Sequence, residues 1–178
     1  MNTKNLLLLA SLTLAMPLTA QTPQEDFKRD ITLSGSNYVA YRGPQKQLTA
    51  APKGYKPFYL SHYGRHGSRY MIGKKAYDVP YFSLLKAKQE GKLTAKGEET
   101  LAKVKLIREE AKGRDGELTP LGALQHQGIT RRMMERFPEI FAGNTNIEAR
   151  STLVIRCILS MENGLQQMLR MNPKLHIF

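Results

Sequence analysis

The chain has 178 residues, enough for one domain with a hydrophobic core of its own. Lysine and arginine outnumber aspartate and glutamate 27 to 15, a net charge of +12 that points to anionic partners. The basic residues are spread along the chain with no nucleic-acid-binding motif among them, which excludes a nucleic-acid module, and a single cysteine, Cys157, excludes an internal disulfide.

The first twenty residues read as a signal peptide. Lys4 and the terminal amine precede an apolar run from Leu6 to Met16, and Pro17-Leu18-Thr19-Ala20 ends on a small residue. Cleavage is expected near Ala20, with export to the periplasm or beyond the cell. The apolar run is too short to span a bilayer, so no membrane span is expected. Residues 21–55 are polar and turn-rich (Gln21-Thr22-Pro23, Ser34-Gly35-Ser36-Asn37, Arg42-Gly43-Pro44, Ala51-Pro52-Lys53-Gly54) and are expected to form an irregular leader wrapping the domain.

Phe58 to Tyr63 is aromatic and apolar, the composition of a strand, and Gly64 opens the turn that leaves it. A helix is predicted from Tyr77 to Lys92, following Pro80 and stopping at Gly91. A second, capped by Thr94, runs to Lys112-Gly113. Thr119-Pro120 reads as an N-cap with proline at the first helical position, and that helix continues to about Arg136, ahead of Pro138. A short strand is expected over Asn144 to Ala149. A further helix is expected from Thr152 to Met171, with Leu153, Cys157, Met161, Leu165, Met168 and Leu169 on one buried stripe. In that setting Cys157 is expected to be inert packing. Asn172-Pro173 ends the helix, and Leu175 to Phe178 reads as a strand. The order defines an α/β fold, and the chain is expected to be the N-terminal part of something longer.

The chemistry concentrates in Arg65-His66-Gly67-Ser68-Arg69. Guanidinium groups present forked donors that match phosphate oxygens. A neutral imidazole is a covalent nucleophile near neutral pH, and glycine lets the backbone turn sharply beside a ligand. Leu118-Thr119-Pro120-Leu121-Gly122 opens a helix that carries Gln125, His126 and Gly128. Arg150-Ser151-Thr152 is read at a strand-to-helix junction, with Arg156 one turn on, where free N–H groups and the helix dipole suit a phosphate.

Together these segments resemble the histidine phosphatase superfamily, in its acid phosphatase and phytase branch, and within that branch bacterial multiple inositol polyphosphate phosphatase-like proteins. The resemblance covers roughly residues 56–178. It implies the N-terminal part of a three-layer, phosphoglycerate-mutase-like domain, a central sheet with flanking helices, whose C-terminal part is missing. It also implies phosphomonoester hydrolysis through a phosphohistidine, on inositol polyphosphates. His66 would be the nucleophile; Arg65, Arg69 and Arg150 would clamp the transferred phosphate; Lys74 and Lys75 would attract an anionic substrate. No metal or other cofactor is implied. The family's proton donor is a second histidine beside an acidic residue. Here His62, His126 and His176 are followed by Tyr63, Gln127 and Ile177, so that donor is not present. The alternative is a truncated or non-catalytic phosphate-binding protein. The oligomeric state is not indicated.

Overall fold

Thr22-Pro23-Gln24-Glu25 spells a capping box, and it forms one. The Thr22 side chain accepts the Glu25 amide while the Glu25 carboxylate accepts the Thr22 amide at 3.0 Å. This starts helix α1 (Pro23–Arg29), and a 3-10 helix (Ile31–Tyr38) follows. The computed structural model describes residues 22–39, 43, 46 and 49–178; the predicted signal peptide lies outside the described residues. The chain divides into two units, residues 1–41 and 42–178. The leader is therefore not irregular throughout: a reading of Thr22-Pro23 as a turn overlooked the glutamate that completes the cap.

In the second unit, α2 (Lys75–Gln89) packs on α3 (Ala95–Glu110). Helix α2 begins ahead of Pro80 and contains it. Pro80, the sixth helical residue, lacks the amide that would donate to the Ala76 carbonyl. Arg108 of α3 joins the pair. Its Nε donates to Asp78 at 2.6 Å, and its guanidinium lies over the Tyr81 ring at 5.0 Å. That guanidinium holds the Asp78 carboxyl below its ordinary range. Thr94 caps α3 as predicted, accepting the Gly97 amide.

Helix α4 (Pro120–Arg136) packs along α5 (Ile155–Met171). The contact is made by small and polar side chains, with Gly122, Thr130 and Met134 buried on α4 and Ser160, Gly164 and Gln167 on α5. A methyl group on Gly164 would meet Thr130 Oγ1 at 3.0 Å, which shows how closely the helices approach. The predicted apolar stripe of α5 is thus corrected. Leu153 lies before the helix and is 95% exposed, whereas Met168 packs on the core and Cys157 is half-buried.

Strands β1 (Asn146–Ile147) and β2 (His176–Ile177) pair in parallel, Asn146 opposite His176 and Ile147 opposite Ile177. Beneath them Met134, Phe141 and Leu175 form the buried core, flanked by Leu60, Phe137, Ile140 and Met168. The fold is helix-rich with a small parallel sheet. The strand expected over residues 58–63 is not formed: the segment lies outside any sheet, with Phe58 95% exposed and only Leu60 reaching the core. Aromatic composition favours a strand, but a strand also needs a neighbour to take its backbone N–H and C=O groups, and none of the described residues supplies one.

Candidate active site

The Arg65–Arg69 turn is held against the start of α4 by backbone contact. A methyl group on Gly67 would lie 2.4 Å from the Gly122 carbonyl oxygen and 2.7 Å from its Cα. One on Gly122 would lie 2.3 Å from the Ser68 carbonyl oxygen. Two glycines face each other because any side chain at either would separate the turn from the helix. Thr119 serves both elements. Its hydroxyl caps α4 by accepting the Gly122 amide at 3.1 Å, and it donates to the Ser68 carbonyl at 2.9 Å. The Thr119 amide donates to the same carbonyl at 2.9 Å. Arg69 and Leu118 form an antiparallel bridge, continued by the Tyr70 amide donating to the Glu117 carbonyl.

His66 is half-buried in this turn, and its Nδ1 lies 2.8 Å from the Gly67 carbonyl. A carbonyl only accepts, so Nδ1 is the donor, and in the neutral ring the lone pair then lies on Nε2. The Gly67 amide donates to Ser160 Oγ at 3.0 Å, and that hydroxyl donates to the Arg156 carbonyl at 2.7 Å. The Ser68 amide donates to Gln125 Oε1 at 2.8 Å, and His126 Nε2 lies 3.1 Å from the Arg65 carbonyl. Burial holds the His126 imidazole below its ordinary value; the Arg65 carbonyl partly offsets this, and the neighbouring His62 and His66 rings add to the lowering.

The turn brings together three of the predicted site residues. Arg65 is exposed beside His66. Arg69 is half-buried, with one terminal nitrogen donating to the Tyr70 carbonyl at 2.8 Å and its Nε buried without a partner. Tyr70 behind it donates its hydroxyl to Glu110 at 2.9 Å; that bond, with burial, raises the phenol above its ordinary value.

The other three lie outside this turn. Arg150 follows β1, is 86% exposed and pairs with Glu148. It stands five residues ahead of α5, whose N-cap is Val154, in extended conformation. Arg150-Ser151-Thr152 thus lies in the connection from strand to helix, as predicted, but the helix starts at Ile155 and not at Thr152, so Arg150 stands off its end. Lys74 is exposed and pairs with Asp78 at 3.5 Å, and Lys75 is exposed as the first residue of α2. Lys74 lines a separate cleft of about 270 Å³ with Tyr77, Arg108, Lys112 and Asp115. Sequence reasoning missed Gln125 and Ser160 and gave His126 no role in the turn. A signal existed for the first: Gly122, Gln125 and His126 are spaced three and four apart, on one helix face. Among the described residues, no group of three or more His, Cys, Asp or Glu side chains is arranged to hold a metal, and no helix is long and apolar enough to cross a membrane.

A half-buried histidine with one free ring nitrogen, flanked by arginines on a braced glycine turn, has the make-up of a phosphate-handling site. Among solved structures the chain is similar to the multiple inositol polyphosphate phosphatase of Bifidobacterium longum, determined in complex with inositol hexasulfate: the TM-score is 0.55, the identity 27%, and the match covers 76% of this chain and 29% of that one. The resemblance read from the motifs is thus borne out, and the chain spans less than a third of that phosphatase's length. No protein-family model and no curated protein matches it.

Proposed function

We propose that this chain carries the nucleophile and phosphate clamp of a phosphomonoester phosphatase acting on inositol polyphosphates. The observation that carries this reading is the His66 geometry, with Nδ1 engaged by the Gly67 carbonyl and Nε2 free. In the proposed reaction the Nε2 lone pair attacks phosphorus, the bond from phosphorus to the ester oxygen breaks, and the leaving oxygen takes a proton from solvent water. Water then attacks the phosphohistidine, releasing phosphate and regenerating His66. Arg65 and Arg69 stabilise the charge on the phosphoryl oxygens. Arg150 joins them by exchanging Glu148 for the phosphate, and Lys74 and Lys75 add positive charge at the start of α2. The surrounding domain would be the three-layer histidine phosphatase fold, exported after cleavage near Ala20.

A second reading is phosphate binding without turnover. It is favoured by the residues after His62, His126 and His176, none of them acidic. An ester whose leaving group needs no proton separates the two. The chain is expected to release 4-nitrophenol from 4-nitrophenyl phosphate, and His66→Ala to lose that activity while keeping its melting temperature. Cleavage of this ester with inositol hexakisphosphate bound but intact supports the binding-only reading for unactivated esters. Equal rates for wild type and His66→Ala contradict the nucleophile assignment.

A further inference from the structure

The backbone groups on both sides of His66 are held by side chains from α4 and α5. The Arg65 carbonyl meets His126 Nε2, the Gly67 amide meets Ser160, and the Ser68 amide meets Gln125 Oε1. Gln125 and His126 are adjacent on α4, yet they grip positions three apart in the turn, one on each side of the imidazole. They reach it because the Gly67–Gly122 contact draws the helix against the turn. The Arg65 carbonyl accepts only, so His126 must present Nε2–H, and the Ser68 amide donates only, so Gln125 must present its oxygen. Both side chains are thereby fixed in one orientation. Neither belongs to the attacking or clamping set.

We infer that Gln125 and His126 are positioning residues that set the aim of the His66 imidazole by bracing the two sides of its turn from α4. The inference rests on reading His66 as the nucleophile. A 1 Å displacement of a reacting group slows chemistry on the order of a hundredfold while leaving ground-state binding largely intact. A brace therefore acts on the rate at saturating ester, whereas a residue that merely supports the fold acts through stability.

The test uses the whole chain with His126→Leu, which removes the donor, His126→Gln, which keeps one, and Gln125→Met, which leaves the Ser68 amide unpaired. His126→Leu and Gln125→Met are expected to slow phosphoryl transfer from saturating 4-nitrophenyl phosphate by roughly 10- to 100-fold, with the dissociation constant for inorganic phosphate changed less than about threefold. His126→Gln is expected to recover most of the rate at the melting temperature of the leucine variant. Nitrogen-15 NMR of the His66 ring is expected to show Nδ1–H in wild type and mixed tautomers in His126→Leu. Wild-type transfer in His126→Leu and Gln125→Met, or no recovery with glutamine, overturns the brace. Absence of any transfer by the wild type counts against the phosphatase reading instead; the ring signals then decide the brace, and unchanged signals in both variants overturn it.

Discussion

At Gly67 a single added methyl group would overlap the backbone of Gly122, and backbone cannot swing aside as a long side chain can. Gly67→Ala is expected to cost about 1–3 kcal/mol, as overpacking of a tight contact does, measured as a lower urea midpoint at unchanged slope. His126 gives a prediction in pH. Its imidazole is held below the ordinary value of 6.5, first by burial. The unfolded chain therefore takes up this proton before the folded one does. The stability linked to the group is intact above pH 6.5 and is lost as the pH falls from there through the lowered folded value. A melting series from neutral to acid pH is expected to fall less steeply in His126→Gln than in wild type. Identical slopes would show that His126 titrates normally in the fold.

At the scale of elements, two threonines cap two helices in the same way but with different neighbours. Thr94 caps α3 alone, whereas Thr119 caps α4 and also holds the Ser68 carbonyl. Thr94→Ala and Thr119→Ala are each expected to cost about 1 kcal/mol of stability. Only Thr119→Ala is expected to weaken phosphate binding as well, measured by titration calorimetry. An equal effect on binding in both variants would detach the cap from the site. The same pair shows what the sequence makes legible. Caps are local, so Thr94 and Thr119-Pro120 announced α3 and α4 with nearly correct bounds. Arg65 to Arg69 was singled out as the candidate site from side-chain chemistry alone. The braces were not, because Gln125 and Ser160 reach the turn across 57 and 93 residues of chain. The start of α5 was placed three residues early, at Thr152, because the apolar spacing continues upstream through Leu153, while the helix begins at Ile155 behind an extended Val154. Residues 58–63 have strand composition, but pairing depends on a distant neighbour.

Over the whole molecule, the proposed function has the net charge of +12 and the arginines of the turn attract the same anionic ligand. Exposed charges are screened by salt, so binding of inositol hexasulfate is expected to weaken as ionic strength rises, and a salt-independent affinity would remove long-range attraction from the account. Every step of the proposed chemistry passes through one bond, from phosphorus to His66 Nε2. The most direct test is rapid-quench labelling of the chain with phosphorus-32-labelled 4-nitrophenyl phosphate, followed by mapping of the labelled peptide. The predicted result is an acid-labile, base-stable phosphate on the peptide containing His66, absent from His66→Ala. A phosphate carried on another residue, or equal labelling of wild type and His66→Ala, would contradict it.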